Sequence, residues 1–491
     1  MNPPPRHPAE PNDAREPDHP EQAAEQAHDR ALERAVPVGE PPIAPHAAAQ
    51  PGRSSLKAAA VRGSAWTLIG HGGEQAIRLA ANLALARLLT PEIFGLMGIV
   101  SVVTQGLKMF SDTGIGPSII QNKREDTDFL NTAWTVQVIR GFALWTLCAA
   151  AALPIAWIYG EPIFALLLPI AGINTMIAGF NTTALFTMNR KLEFAKISIV
   201  RLSGATMGSM GRVGFALLTP TVWAMVAGGT IGAVSTLVLG FAILRTHRHR
   251  LRLERAALGS LFGFGKWIFL STAVTFLAMQ ADRFAVPALS DMTTFGLYSI
   301  ALVLGAAPLL IVNKIAARVM FPAYARVVRD GTNASLVGPS RKFARAVVPA
   351  FAVPAAFILF GRDVVDILYP AEFSRAGDFL EVLSVAVYID MLRASLNGAF
   401  HATGDSRSPF IVNSVRLGVG LPIAVLLMLE WGAIGFCAGQ VVAASIAFLC
   451  QRALVRRRLE VPRSSLDLAL LLGLVAVLVG REGLRSLGVV S

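Results

Sequence analysis

Glu74 and Arg78 stand one helical turn apart inside a long apolar stretch, as do Lys108 and Asp112. Arg140, Arg212, Arg393 and Arg416 lie in similar stretches as guanidiniums that need a carboxylate from a neighbouring helix or an anionic ligand, and Asp282, Arg283, Lys314 and Asp390 complete the set. Charges in the hydrocarbon layer are costly, so they face a protein interior or a water-filled cavity. The i, i+4 spacing of Glu74 with Arg78 and of Lys108 with Asp112 permits pairing along one helix. Arginine can also offer phosphate two parallel hydrogen bonds, which lysine cannot. Two readings follow for Arg78, Lys108, Arg140, Arg212, Arg283, Lys314, Arg393 and Arg416. They line a cationic substrate cavity that binds a phosphate-bearing headgroup, or they form interhelical salt bridges and snorkel at span ends. Glu74, Asp282 and Asp390 are the carboxylates that could take a coupling proton or sodium ion; each could equally be an arginine's partner. His71 and His401 have no metal-ligand spacing, and nothing points to a cofactor.

The elements that must position these groups are membrane helices. Apolar residues make up 54% of the 491 positions against 15% charged, with a mean hydropathy of +0.54, a composition foreign to soluble domains of this length. Stretches long enough to cross a bilayer fall near 63–88, 94–120, 130–158, 162–187, 194–218 and 222–245, then 262–289, 294–318, 345–368, 378–402, 408–430 and 432–453. A shorter run at 467–480 fits either a thirteenth span or an interfacial segment. Residues 1–56 hold 12 of the 28 prolines and few aromatic or β-branched residues, which predicts a disordered tail. The predicted order is therefore a tail at 1–56, a six-helix half at 57–255, a second at 256–460, and an extra segment at 461–491.

An internal repeat supports this division. Residues 66–96 align without a gap on 267–297, with seven of 31 positions identical, including Trp66 on Trp267 and Phe94-Gly95-Leu96 on Phe295-Gly296-Leu297. Repeated halves in a membrane protein are characteristic of transporters. Lys and Arg gather in alternate loops, from Lys123 and Arg124 through Arg245–Arg255 to Arg452–Arg463, which predicts a cytoplasmic amino terminus.

Several functions are disfavoured. Cys148, Cys437 and Cys450 have no CxxC spacing, so neither a disulfide framework nor a zinc site is expected. The net charge of +12 reads as a positive-inside bias, because His247–Arg255 lacks the interleaved aromatics of a nucleic-acid surface. No GxxxxGK[ST] motif is present, and the loops opposite the basic set are too short for an external catalytic domain. An enzyme such as a glycan polymerase or ligase is disfavoured on the same grounds.

The motifs ARLLTPEIFGLMGIV at 86–100, SDTGIGPSIIQ at 111–121, YGEP at 159–162 and RKLEF at 190–194 occur in that order, followed by VWAMVAG at 222–228, FGFGKW at 262–267 and FP at 321–322. Together they resemble the exopolysaccharide and O-antigen flippase family, within the superfamily of multidrug, oligosaccharidyl-lipid and polysaccharide exporters. The resemblance covers roughly 57–460 and is most specific over 86–121. It implies an all-α polytopic protein of two six-helix lobes related by a pseudo-two-fold along the membrane normal. It also implies export of lipid-linked oligosaccharide across the inner membrane by alternating access, with a polymerase and ligase as possible partners. The alternative within the superfamily is a cation-coupled multidrug exporter, against which the surplus of intramembrane arginine counts.

Overall fold

The computed structural model describes residues 53–110, 119, 126–190, 193–244, 249–254, 274–316, 347–402, 405, 407–459 and 465–486. Residues 1–52 of the tail expected at 1–56, Asp112 with its DTGIG motif, FGFGKW and FP lie outside them, whereas residues 53–56 are helical. The compact unit carrying everything below is Ala58–Ser491.

The described structure is helical. α1 (Arg53–Ala86), α2 (Pro91–Phe110), α3 (Thr127–Tyr159), α4 (Phe164–Gly179), α5 (Ala184–Arg190), α6 (Phe194–Leu218) and α7 (Val222–Ile243) form the first half. The second half contains α8 (Asp282–Leu289), α9 (Met292–Ile315), α10 (Ala352–Leu368), α11 (Arg375–Ala402), α12 (Arg407–Val415) and α13 (Leu421–Leu459), followed by α14 (Ser465–Ser486). Among the described residues, five helical stretches are long and apolar enough to cross a membrane: Pro91–Met109, Thr127–Tyr159, Val222–Ile243, Met292–Lys314 and Arg407–Arg456.

Two single spans expected from hydropathy are interrupted, for different reasons. The stretch at 162–187 breaks after α4. The carbonyls freed there find donors on α3: Gln137 Nε2 donates to Gly179 O (3.1 Å) and Asn181 O (2.9 Å), and Trp134 Nε1 to Phe180 O (3.2 Å). A broken helix is tolerated at membrane depth only when its backbone is satisfied in this way. In the stretch at 345–368, a 3₁₀ turn (Val348–Phe351) precedes α10, which itself bends at Phe360 (φ −129°, ψ 25°). By contrast, the two spans expected at 408–430 and 432–453 run on without a loop from α12 into α13, and α13 folds back on itself at Gly432, whose φ of 64° only glycine adopts easily. Gly439 then lies against Ala424 and Gly420 against Ala443, the register of an antiparallel hairpin. Ahead of it, Arg416–Gly420 forms a π-helical turn.

The first half packs through α3 on α4 and α6 on α7, the second through α11 on α13 and α10 on α11. The halves meet chiefly along α2 and α9, which start side by side and run parallel. The repeat-related glycines face each other at that start. A β-carbon on Gly95 would fall on the carbonyl of Met292, and one on Gly296 on the carbonyl of Pro91. So the identity of Gly95 and Gly296 in the repeat has a packing cause: each helix needs a bare backbone where it crosses its counterpart.

Around this crossing a continuous apolar core spans both halves, with Ile99, Phe164, Phe295, Tyr298, Phe373 and Phe436 wholly buried. Phe94 meets Phe373 edge-on at 5.7 Å, Tyr369 Oη donates to Asn82 Oδ1 at 2.9 Å, and Tyr159 Oη to Phe284 O at 3.4 Å. These contacts close the end of the bundle where α2 and α9 begin, the sealed end, away from Lys196 and Arg407 at the basic end.

α14 packs on α10 and α11. Gly473 lies beside Tyr388 Oη and Arg481 pairs with the buried Glu381, so α14 runs antiparallel to α11. Its 22 residues measure about 33 Å, the thickness of a hydrocarbon core.

Candidate functional site

A cavity of about 1270 Å³ opens between four helices. α1 supplies His71, Glu74, Gln75 and Arg78; α6 supplies Arg201, Ser209 and Arg212; α7 supplies a wall of Gly228, Gly229, Gly232 and Thr236; α9 supplies Ala307, Leu310, Ile311 and Lys314. The wall-forming residues of α1 and of α6 recur every three or four positions, so each helix presents one face to the chamber.

Local packing explains why these faces stand open. α1 and α6 run parallel, with Ser198 Oγ donating to Trp66 O at 3.1 Å and Gly73 against Leu202. α7 returns against α6 through close backbone contact: a β-carbon on Gly208 would lie 3.1 Å from Gly232 Cα, and one on Gly232 3.0 Å from Gly204 O. Small residues bring the two backbones together without a hydrophobic drive between them. They also leave room for the Arg212 stem, which lies over Gly228.

Among the described residues the chamber is cationic, with Arg78, Arg201, Arg212 and Lys314 against the one carboxylate of Glu74. Glu74 Oε1 accepts from Arg78 Nη2 at 2.8 Å and from its Nε at 3.2 Å, the intrahelical pair expected from spacing. Arg212 is different. Its Nε is buried with no hydrogen-bond partner among the described residues, and Asn174 Oδ1, on the amide close to Gly229, is in the same condition. A buried donor left unmade is costly. The cations are arranged in two tiers, because Arg201 and Arg212 stand three turns apart on α6, about 16 Å. Arg78 and Arg212 occupy the deep tier near the sealed end; Arg201 and Lys314 lie toward the basic end.

The remaining sequence-predicted residues assemble elsewhere. Asp390 bridges two arginines, pairing with Arg393 at 2.7 Å and with Arg416 at 3.1 Å. Arg393 Nε also donates to Gln451 Oε1 at 3.0 Å. This cluster joins α11, the π-turn and α13. Asp282 accepts from Tyr298 Oη at 3.0 Å and lies within electrostatic range of Arg283 and Arg416, extending the charged chain to α8 and α9. Arg140 Nη2 donates to the Lys108 carbonyl at 3.0 Å where α3 meets α2, and neither residue is among the cavity walls. Asp112, the expected partner of Lys108, lies outside the described residues, and nothing is described of the His401 side chain.

Of the eight basic residues expected to share one chamber, Arg78, Arg212 and Lys314 line it, with Glu74. Arg393 and Arg416 take the salt-bridge alternative with Asp390. Arg201 was not anticipated, although its separation from Arg212 by three turns on one helix face was a usable signal. The glycine wall of α7 was hidden inside a hydrophobic span.

A polytopic helical bundle whose halves are joined at one end, with a charged chamber reaching in from the other, is the architecture of a membrane transporter. The chain belongs to the polysaccharide biosynthesis protein family, whose model matches residues 84–378. It is similar to the lipopolysaccharide biosynthesis protein WzxC of Escherichia coli (strain K12), 22% identical over 78% of either chain. It is also similar to the succinoglycan biosynthesis transport protein ExoT of Rhizobium meliloti (strain 1021), 23% identical over 62% of this chain and 63% of the other. Among solved structures, the lipid II flippase MurJ in an inward closed conformation matches with a TM-score of 0.63 and 13% identity, covering 87% of this chain and 99% of that one. An inward-facing MATE family multidrug transporter matches with a TM-score of 0.61 and 15% identity, covering 78% and 95%. At these identities the structural likeness defines the fold alone.

Proposed function

We propose that the protein flips lipid-linked oligosaccharide across the inner membrane, taking the anionic headgroup into the four-helix chamber while the prenyl tail stays in lipid. The observation that carries this reading is Arg212, a half-buried guanidinium on the wall of a cationic cavity whose buried Nε has no hydrogen-bond partner among the described residues. A pyrophosphate supplies the missing acceptor and the countercharge, and guanidinium and phosphate match in a bidentate way. Arg201 and Lys314 receive the anion at the mouth, and Arg78 with Arg212 hold it at depth. Because basic loops stay inside, the mouth faces the cytoplasm and the amino terminus lies there too. Release requires parting the Gly95–Gly296 crossing and the contacts of Phe94, Tyr159 and Tyr369, so alternation is a rocking of the two halves about the chamber.

Asp282 and Asp390, in the charged chain of the second half, are candidates for coupling to a proton or sodium ion, as is Glu74 within the chamber. A polymerase and a ligase acting on the exported unit are the partners this activity implies. The multidrug alternative has the same fold, but four cations around the chamber would repel the cationic compounds such an exporter carries.

The test is reconstitution. Purified protein in liposomes carrying a fluorescent prenyl-pyrophosphoryl oligosaccharide is expected to raise the rate at which the label changes leaflets, read as loss of protection from a membrane-impermeant quencher. Protection equal to that of protein-free liposomes refutes the reading.

A further inference from the structure

Residues 249–254, His-Arg-Leu-Arg-Leu-Glu, follow α7 on the chain that leads to the second half, and they lie as an extended strap across the start of α3. Alternate backbone amides face the helix. Arg250 N donates to Asn131 Oδ1 (3.1 Å), Arg252 N to Thr135 Oγ1 (2.9 Å) and Glu254 N to Thr132 Oγ1 (3.1 Å). The two threonine hydroxyls in turn donate to α3 carbonyls, Thr132 to Asp128 O and Thr135 to Asn131 O, each at 2.8 Å. This explains why three polar residues of a membrane helix are almost wholly buried: they are sockets for the strap. His249 anchors its start, stacked on Trp134 at 5.2 Å and bonded to Thr182 Oγ1 at 2.8 Å, and Arg252 pairs with Asp128 at 2.6 Å.

A strap held by alternate amides sends successive side chains to opposite faces. Arg250 and Arg252 share one face; Leu251 and Leu253 share the other and are 72% and 55% exposed. Two leucines held open to solvent on a pinned backbone, beside two arginines, match the boundary between acyl chains and anionic headgroups. The depth agrees. α3 has 33 residues, about 50 Å, so with Tyr159 at the sealed end its first two turns extend beyond a core of about 30 Å into the headgroup layer. Trp134 lies at that level, as interfacial tryptophans do.

We propose that this strap is a binding surface for anionic phospholipid: Leu251 and Leu253 enter the leaflet and Arg250 and Arg252 hold the headgroup phosphates. Because the strap leads toward the second half, lipid composition would set how firmly that connection is held against the first. The proposal needs only the membrane, and it stands whether or not the chamber carries an oligosaccharide.

The test places an environment-sensitive fluorophore on Leu251→Cys in a Cys450→Ser background, the other native cysteines being buried. The protein is reconstituted in phosphatidylcholine vesicles with or without phosphatidylglycerol. Headgroup-region spin-labelled lipid is expected to quench the label more strongly than aqueous iodide, and phosphatidylglycerol is expected to be retained on purification. An arginine near an anionic surface contributes on the order of a five-fold preference. The Arg250→Gln/Arg252→Gln variant should therefore retain several-fold less phosphatidylglycerol, while Asp128→Asn, which removes the pair but leaves the cations, should retain at least as much as the wild type. Should the double glutamine variant unfold, Leu251→Ser/Leu253→Ser removes only exposed apolar surface and must show the same loss. A label quenched by iodide but not by lipid overturns the proposal, as does lipid retention unchanged in either double variant.

Discussion

Replacing Arg212 by methionine separates anion binding from folding more cleanly than any other change in the chamber. Methionine keeps most of the unbranched stem that packs over Gly228, and the lost Nε makes no hydrogen bond among the described residues, so little native interaction is removed. What disappears is one half-buried guanidinium facing the deep half of the chamber. A hydrogen bond to a charged group contributes about 1.5–3 kcal/mol. At 1.4 kcal/mol per tenfold, loss of one such bond predicts flipping slowed by about 10- to 150-fold at limiting substrate. Arg212→Lys should recover part of this, because a point charge replaces a planar fork. The assay is leaflet exchange of a fluorescent prenyl-pyrophosphoryl oligosaccharide in proteoliposomes, with thermal melting of the same preparations. Wild-type flipping by Arg212→Met, or a matching loss of thermal stability, would refute the assignment of Arg212 to the substrate.

Arg393→Met is expected to act in the opposite sense: breaking a buried ion pair costs about 3–5 kcal/mol, so its melting midpoint and yield should fall, with Asp390 keeping Arg416 as a residual partner. Gly95→Leu pushes a side chain into the Met292 carbonyl, and spin labels on the exposed Glu92 and Thr293 should report a longer distance between the starts of α2 and α9 than in the wild type; an unchanged distance contradicts the crossing. If α14 crosses the membrane antiparallel to α11, alkaline phosphatase fused after Ser491 should be active in cells, and Glu381→Gln, which strips Arg481 of its carboxylate, should reduce that activity; an inactive wild-type fusion contradicts a thirteenth span.

The charged residues were legible in the sequence because a titratable group stands out against an apolar helix, and the repeat was legible because Gly95 and Gly296 are fixed by one shared contact. Which charges share a chamber was not legible, because that depends on which helices adjoin. Asp390 and Arg393 are neighbours by spacing, but Arg416 and Gln451 reach them only through the fold of α12 and α13. The break after α4 escaped notice because its donors, Trp134 and Gln137, lie more than forty residues earlier on α3. Asn131, Thr132 and Thr135 were likewise visible as polar residues near a span start, with no local sign that a strap from beyond α7 occupies them.

A chamber that selects its lipid headgroup by charge should respond to the number of phosphates on the lipid. The decisive comparison, in the same proteoliposomes, is leaflet exchange of one prenyl-linked sugar bearing a pyrophosphate, a monophosphate or no phosphate, together with uptake of a lipophilic cationic dye. Exchange is expected to fall in that order, with the phosphate preference largely lost in Arg78→Met/Arg212→Met and no dye transported. Equal exchange of the uncharged lipid, or dye transport that survives without any effect of phosphate, would contradict it.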